Sequence, residues 1–336
     1  MKRVGLIGCG AISETHIWAL GWQKYIEVVA LSDCKTDKAC ELAGKYQETA
    51  KKESQSIHIY GDYLEMLDQE ALDVVHICTP HYLHVPMAME ALKRGISVFM
   101  EKPPAITMEQ FVALQEVAAK SKARIGICFQ NRYNETIAVA DEIVKSGILG
   151  KVIGGRAFVT WRRDADYYES EWKGQLAKEG GGVLINQSIH TLDLLLRYFE
   201  EPISVQALVG NHHLKNQVEV EDTVEAWMEF PEGQRACFFA TTAYVSDASN
   251  IMELQCEKGS IQIKDHSVIV TEENKTPQVI NCKEGTGIGK SYWGAGHRAC
   301  IRDFYRCISN GKPFQNDLLG VEKTMRTVMK IYDFRK

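Results

Sequence analysis

The chain has 336 residues, of which 45% are hydrophobic and 25% charged, with a formal net charge of −5 and a sequence pI near 6.1. This length accommodates two domains of ordinary size, and the composition is typical of a soluble globular protein. The negative net charge does not indicate a basic surface for binding nucleic acid, and no apolar run approaches the length of a membrane span.

Residue usage also bears on location and on metals. Lys2 and Arg3 lead directly into the first apolar run and leave no room for a signal peptide. The ten cysteines include no C-x-x-C pair, and several lie within apolar runs (Cys78, Cys128, Cys237). This usage favours neither disulfides nor zinc. We therefore expect a protein of the reducing cytoplasm without a metal.

The first part of the chain alternates apolar runs with helix patterns. One helix is predicted to begin at Thr107, with Gln110 completing a capping box, and another to end at Gly95. The apolar runs, which have the pattern of strands buried on both faces, are Val4–Ile7, Val28–Leu31, Val74–Cys78, Val98–Met100 and Ile125–Phe129. This alternation predicts an α/β fold, a doubly wound parallel sheet with crossover helices, over residues 1–125.

After a helix predicted to end near Gly147, the pattern changes to alternation of apolar and polar residues. Hairpin turns are predicted at 231–234 and 258–259, and helix returns from about His297. The residues predicted to share one face of two strands are Ile203, Val205, Ala207 and Val209, and Val224, Ala226, Met228 and Phe230. Residues 126–336 are thus predicted to form a second domain with an antiparallel sheet. Its final helices are compatible with packing back on the first domain.

The first predicted strand runs into Gly8-Cys9-Gly10-Ala11-Ile12-Ser13, a G-x-G-x-x-S turn that opens a helix. Glycines there let the backbone approach a dinucleotide pyrophosphate, so Gly8, Gly10, Ala11 and Ile12 are predicted to hold the cofactor. Asp33 ends the second strand, where a carboxylate binds the adenosine ribose hydroxyls and repels a 2′-phosphate, favouring NAD over NADP. The alternative is that Asp33 caps the following helix.

Two further loops follow apolar strands and are predicted to lie at the same sheet edge. Thr79, Pro80 and His84 come after one strand and either line the cofactor site or form an ordinary helix start. Glu101-Lys102-Pro103 follows another strand. Lys102 has three competing interpretations: a solvated surface lysine, a phosphate contact, or a catalytic ammonium that polarises a substrate hydroxyl.

A triple glycine, Gly180-Gly181-Gly182, opens a further helix pattern. Asn186, His190, Asp193 and Arg197 follow at spacings that form one polar stripe on an otherwise apolar helix. The stripe is either the wet face of an amphipathic helix or a site in which His190 accepts the proton of an alcohol. The loop before the glycines carries Trp161, Arg163, Tyr168 and Trp172, which suit a sugar ring or a subunit interface equally well.

Together these residues resemble the glucose-fructose oxidoreductase/inositol dehydrogenase family (Gfo/Idh/MocA) over essentially the whole chain. The resemblance implies a Rossmann domain, a C-terminal α+β domain with an open, mostly antiparallel sheet, and NAD(P)-dependent oxidation of sugars or polyols. It implies a catalytic role for Lys102 and His190, and oligomer contacts, as a homodimer or homotetramer, through the C-terminal sheet. Many members carry aspartate where this chain has Asn186, which shifts proton transfer to Lys102 and His190.

The sequence therefore predicts an NAD-dependent dehydrogenase that oxidises a secondary hydroxyl of a sugar, sugar derivative or cyclitol. Lys102 and His190 are predicted to perform the chemistry, and Asn186 to hold a neighbouring hydroxyl. One alternative is an NAD-dependent enzyme that cleaves glycosides through transient oxidation. A second is a cofactor-sensing protein without turnover, which has no use for both Lys102 and His190.

Overall fold

The structure is a computed structural model that describes residues 1–51, 56–215, 217–283 and 296–335. Its contacts divide the chain into two compact units. The first comprises Met1–Asn131 and the described part of Gly285–Val321, and the second the described residues of Arg132–Glu284 and Glu322–Lys336.

The first unit contains a six-stranded parallel sheet with the order β3-β2-β1-β4-β5-β6. Its strands are β1 (Lys2–Ile7), β2 (Ile26–Ser32), β3 (His58–Tyr60), β4 (Val74–Ile77), β5 (Ser97–Met100) and β6 (Ile125–Ile127). Its helices include α1 (Ala11–Gly21), α2 (Thr36–Ala50), α3 (Tyr63–Gln69), α4 (His81–Lys93), α5 (Met108–Lys120) and α9 (His297–Asn310). From β1 the strand order runs to one edge through β2 and β3, and from the neighbouring β4 it runs to the other edge through β5 and β6. This order confirms the predicted doubly wound fold.

Strand burial explains why this sheet forms. Every residue of β4 and β5 is buried, as the continuous apolar runs predict for strands covered on both faces. The predicted capping residue Thr107 accepts a hydrogen bond from the backbone N of Gln110, and Gly95 ends α4 with φ +75°. Strand β3 was not predicted, because three residues at a sheet edge carry too little periodicity to recognise.

The second unit contains an eight-stranded sheet with the order β14-β13-β12-β11-β7-β10-β9-β8. Its strands are β7 (Val152–Thr160), β8 (Ser204–Gly210), β9 (Thr223–Glu229), β10 (Arg235–Thr241), β11 (Ile251–Cys256), β12 (Gly259–Lys264), β13 (Ser267–Glu272) and β14 (Gln278–Asn281). The pairing is antiparallel except between β7 and β10, which are parallel. The predicted open, mostly antiparallel sheet is confirmed.

Helices cover one face of this sheet and leave part of the other exposed. The helices assigned here are α6 (Glu135–Ser146), α7 (Leu176–Glu179), α8 (Ile189–Leu196) and most of α10 (Leu318–Tyr332). Val224, Ala226 and Met228 are buried, as predicted, while Trp227 between them is 65% exposed. Ile203 differs from its prediction: it is 67% exposed, because it precedes the first residue of the edge strand β8 and so lies outside that strand.

Within the described ranges, no helix combines the length and the apolar character that crossing a bilayer requires.

Candidate active site

The turn between β1 and α1 has the close packing that the sequence predicts. Gly8 has φ +88°, and a Cβ there would lie 2.8 Å from the backbone carbon of Cys78, so a side chain cannot be accommodated. At Gly10, no described heavy atom lies within 4 Å of the place where a Cβ would be. The first amides of a helix have no intrahelical acceptor, so those of Ala11 and Ile12 border this open space.

Asp33 is partly exposed at the end of β2, and its carboxylate is tied to the glycine turn. One oxygen, Oδ2, accepts a hydrogen bond of 2.8 Å from the backbone N of Cys9, and Oδ1 accepts one of 2.8 Å from that of Lys35. The second contact is made to Lys35, the N-cap residue of α2, so Asp33 is not itself the N-cap of that helix. Carboxylate oxygens have further lone pairs, so the side chain keeps acceptor capacity for ribose hydroxyls.

His84 joins the two loops that follow β4 and β5. Its ring is fully buried, with Nδ1 2.8 Å from the carbonyl oxygen of Pro103 and Nε2 2.9 Å from that of Thr79. Burial lowers the pKa of His84, although both carbonyl contacts oppose that shift. The His84 side chain therefore links Thr79-Pro80 to Pro103. Because this side chain is fully buried, the structure does not support its direct contact with a cofactor.

Lys102 occupies a distinctive place in the loop after β5. From Ile96 to Ile106 every residue is buried except Lys102, which is partly exposed. The flanking Glu101 is 6% exposed and lies 2.9 Å from Nε2 of His16. Lys102 is therefore the residue of this segment that solvent or a ligand can reach.

A chain of buried hydrogen bonds supports this loop from below. His16 Nδ1 lies 2.8 Å from His76 Nδ1, and His76 Nε2 lies 2.9 Å from the Tyr305 hydroxyl. Burial by itself would raise the pKa of Glu101, but the hydrogen bond to His16 together with the charges of His16, His297 and Lys102 outweighs burial and holds that pKa well below its usual range. This chain ties the end of β5 to α1, β4 and α9, so Lys102 projects from a rigid base.

The same cluster contains atoms that metals bind. The ligand atoms of His16, Glu101 and Cys128 all lie within 4.8 Å of one another. His16 and Glu101 already satisfy each other in a direct hydrogen bond. That hydrogen bond explains why these ligand atoms lie close together, and we assign no metal ion to the cluster.

In the second unit, the triple glycine is required by close backbone contacts. A Cβ on Gly182 would lie 1.9 Å from the carbonyl oxygen of Glu221, and one on Gly181 would lie 1.9 Å from the Tyr332 hydroxyl. The buried Glu221 carboxylate also accepts hydrogen bonds from the backbone N of Gly182 and Leu184 and pairs with Arg335. The glycines thus let the C-terminal segment and the residues just before β9 pack directly on the turn.

The polar stripe predicted on one helix is divided by the structure. Residues Val183–Gln187 form a π-helical turn, Ser188 interrupts it, and α8 begins at Ile189. Asp193 is buried and pairs with Arg132, and Arg197 pairs with Asp141. From Glu179 to Leu196, the partly exposed residues are Asn186 and His190, and all others are buried. The wet-face interpretation is therefore wrong for this segment, because Asp193 serves the core.

Asn186 lies against Glu179 and Tyr167, neither of which is among the predicted site residues. Its Nδ2 donates to Oε1 of Glu179 and lies 3.4 Å from the Tyr167 hydroxyl, which also accepts from Nε2 of Gln187 at 3.2 Å. Glu179 is fully buried. The signal available in the sequence was the position of Glu179 directly before the glycines, but its burial depends on the fold.

The aromatic loop is more deeply packed than predicted. The Trp161 indole donates to the carbonyl of Ala248, and Arg163 is buried, paired with Asp247 and 5.1 Å from the Trp161 ring centre. Tyr168 is buried in a small cluster with Leu214 and Val220. Trp172 is half-buried in the same loop. Most of these side chains therefore shape the loop, and Tyr167 is the one that reaches Asn186.

The residues of the first unit fit a dinucleotide. Open space at Gly10 lies beside the N-terminus of α1, which suits a pyrophosphate, and Asp33 stands at the end of the neighbouring strand, where ribose hydroxyls bind. A Rossmann sheet with this turn, together with a second α+β unit, defines a two-domain protein with a dinucleotide-binding type of fold in its first unit.

Comparison with known proteins agrees with this class. Residues 2–129 match the "Oxidoreductase family, NAD-binding Rossmann fold", and residues 137–262 match the "GFO/IDH/MocA C-terminal domain". The chain belongs to the Gfo/Idh/MocA family. The predicted family is thereby confirmed, and its N-terminal domain is of the NAD-binding kind that the glycine turn predicted.

Individual relatives are more distant. The chain is 30% identical over 192 residues to D-glucoside 3-dehydrogenase of Escherichia coli (strain K12), covering 57% of this chain and 52% of that protein. It is 24% identical to inositol 2-dehydrogenase of Rhizobium meliloti (strain 1021), covering 85% and 79%. The matched segments span about half the length of the first curated relatives.

Among solved structures, a levoglucosan dehydrogenase in complex with NADH and levoglucosan is similar to this chain. The TM-score is 0.87 at 20% identity, with 99% of this chain and 96% of that chain covered. This likeness concerns the fold.

Proposed function

We propose that the protein is an NAD-dependent dehydrogenase that oxidises a secondary hydroxyl of a sugar, sugar derivative or cyclitol. The main support is that three polar side chains are partly exposed within segments that are otherwise buried. Lys102 is the partly exposed residue of 96–106, and Asn186 and His190 are those of 179–196. Side chains held in this way by rigid surroundings are what positioning a substrate requires.

The roles follow from the chemistry of each group. The Lys102 ammonium polarises the substrate hydroxyl, His190 accepts the hydroxyl proton as general base, and Asn186 binds a neighbouring hydroxyl. Asn186 cannot itself take a proton, which leaves proton transfer to the other two. The loop that carries Trp161, Arg163, Tyr168 and Trp172 contacts the substrate in this proposal.

The cofactor is held by the first domain. Gly8, Gly10, Ala11 and Ile12 border the pyrophosphate, and Asp33 accepts from the ribose hydroxyls. The loops with Thr79, Pro80, His84, Glu101 and Lys102 complete this side of the site. When bound, NAD⁺ supplies the hydride acceptor. Because the carboxylate of Asp33 repels a 2′-phosphate, NAD is preferred over NADP.

The names of the relatives support the substrate class. Two of them specify a glucoside and inositol as substrates, and the solved structure contains levoglucosan. All three are polyhydroxylated rings. We therefore assign a ring hydroxyl as the reacting group.

The domain roles, assembly and location are part of the same proposal. Residues 1–125 bind the cofactor, and residues 126–336 bind substrate and form the oligomer. A homodimer or homotetramer through the second sheet is supported by exposed apolar residues on its outer face, where Trp227 is 65% and Leu208 64% exposed and Phe158 lies 6.4 Å from Phe239. Ten free cysteines, of which Cys34 and Cys40 are exposed, support a cytoplasmic location.

A substrate panel tests the activity directly. Glucosides, anhydrosugars, inositols and simple sugars are incubated with NAD⁺ or NADP⁺, and the absorbance of reduced nicotinamide is followed. We expect NADH with at least one ring polyol and NADH formation slower on the order of 10²–10⁴ with Lys102→Met, whereas Lys120→Met, at an exposed lysine of the same domain, retains full activity. Cleavage of a glycoside without net NADH would instead select the glycoside-cleaving alternative. Inactivity with every polyol and both cofactors would refute the proposal.

A further inference from the structure

Glu179 is a buried carboxyl group that the proposed reaction does not yet use. It lies at the end of α7, directly before the triple glycine, and its side chain is fully buried. Oε2 accepts a hydrogen bond of 2.5 Å from the backbone N of Gly174, and Oε1 accepts one from Nδ2 of Asn186. A buried carboxyl group placed on a substrate-binding amide calls for a specific role.

The contacts determine which end of the Asn186 amide a ligand meets. The nitrogen Nδ2 carries two hydrogens, and it faces both Glu179 Oε1 and the Tyr167 hydroxyl. A substrate therefore meets Asn186 through its carbonyl oxygen Oδ1, which accepts a hydrogen bond. This arrangement recognises a hydroxyl as donor.

The charged and titratable groups around Glu179 shift its pKa in opposite directions. Burial raises the pKa of Glu179 to about 7, helped by the Glu221 carboxylate and opposed by hydrogen bonds from Gly174 and Asn186 and by the Lys173 ammonium. Lys173 lies 3.7 Å from the centre of the Tyr167 ring, and the hydroxyl of buried Tyr168 is another titratable neighbour. Both forms of Glu179 are therefore accessible near neutral pH.

We propose that Glu179 is a positioning residue, which holds Asn186 with Oδ1 turned to the substrate as long as Glu179 is ionised. When neutral, Glu179 keeps its carbonyl oxygen on the fixed Gly174 N–H and donates its own proton. The acceptor for that proton is Oδ1 of Asn186, so the amide rotates and presents NH₂ to the substrate. The inference deepens the proposed function and rests on it for the identity of the ligand.

A glutamine at this position imitates the neutral form permanently. The single side-chain oxygen of the glutamine accepts the hydrogen bond from the Gly174 N–H, so its NH₂ group faces Asn186. That NH₂ group donates to Oδ1 of Asn186 and therefore favours the rotated orientation of the Asn186 amide. Glu179→Gln is thus the main variant. Glu219→Gln is the matched control, because Glu219 is exposed and accepts a hydrogen bond from Leu176 at the other end of the same helix. Glu179→Asp, which keeps the charge but withdraws it from Asn186, is the second variant if the glutamine protein does not fold.

The first readout needs no activity. With ¹⁵N-labelled asparagine, the side-chain amide resonances of Asn186, assigned by their loss in Asn186→Asp, are followed with pH by NMR. We expect them to titrate with a midpoint of about 7 in wild type and in the Glu219→Gln protein. They should not titrate in the Glu179→Gln protein, and in the Glu179→Asp protein they should lie away from the wild-type high-pH position. Resonances that do not move in wild type, or that titrate unchanged in Glu179→Gln, would overturn the inference.

The second readout uses the substrate found in the panel. Glu179→Gln should raise KM roughly 3- to 10-fold above pH 7 with a smaller change in kcat, as expected for one lost hydrogen bond, and should flatten the pH dependence of KM. A KM that keeps its wild-type pH dependence in this variant would also contradict the inference. Inactivity of wild type on all polyols would refute the proposed function while the NMR titration still decides the role of Glu179.

Discussion

The ionisation of Glu179 should appear in the stability of the protein as well as in its site. A carboxyl group whose pKa is raised in the folded state binds its proton more tightly there than in the unfolded chain. Its contribution to stability is therefore complete below the unfolded value and is lost as the pH rises through the folded one. The pKa of Glu179 rises from 4.5 to about 7, so this loss falls between those two values.

The magnitude follows from the shift. At about 1.4 kcal/mol per pKa unit, ionisation of Glu179 costs about 3 kcal/mol of folding free energy once the pH is well above 7. Between pH 5.5 and 8.5 the change is about 2 kcal/mol, because part of the cost is already present at the lower pH. Glu179→Gln removes this titration, since glutamine carries no charge.

Urea unfolding of wild type and Glu179→Gln across this pH range measures the effect. The difference between the two proteins isolates Glu179, since all other titrating groups are common to both. We expect the variant to gain about 2 kcal/mol relative to wild type from pH 5.5 to 8.5, while Glu219→Gln shows a constant difference. A constant difference for Glu179→Gln as well would show that Glu179 ionises at its ordinary pKa and would refute the reasoning.

Three other substitutions test separate parts of the structure. Asp33→Ser should narrow the preference for NAD over NADP through the dissociation constants measured by titration, and a wild type that binds NADP more tightly would contradict the role of Asp33. Lys102→Met and His190→Ala should each lower kcat on the order of 10²–10⁴ with NAD affinity nearly unchanged, and the double variant should be little worse than the worse single one, in contrast to additive losses. Asp193→Ala should cost roughly 3–5 kcal/mol in unfolding experiments, because it leaves the buried Arg132 without the carboxylate to which it is bound at 2.5 Å; a loss below 1 kcal/mol would contradict this.

Local patterns were sufficient for much of the fold. The strands of the first sheet were predicted from apolar runs because a strand covered on both faces shows its burial directly in its composition. The hairpins of the second sheet were predicted from their turns and alternation. The short edge strand β3 was not predicted, since an edge strand of three residues buries little and leaves no periodic signal.

The candidate site was predictable in its residues but less so in their roles. Lys102 and His190 were singled out by motifs that lie next to glycines and strands. Spacing alone grouped Asn186, His190, Asp193 and Arg197 on one helix face, whereas a π-helical turn separates the first from the others and Asp193 turns into the core. Spacing assumes a regular helix, and the irregular backbone arises from packing of distant segments on the glycines.

The sequence by itself determined the order of most strands and helices and the turn that accommodates a dinucleotide, because these depend on neighbours along the chain. Only the tertiary structure decided which polar side chains are buried and what they contact. Glu179 shows the difference. In the sequence Glu179 is a glutamate before a loop like many others. In the fold, burial raises its pKa to about 7, and its carboxylate accepts hydrogen bonds from Gly174 and Asn186. Desolvation of a charge depends on atoms brought together from distant parts of the chain, which no local pattern specifies.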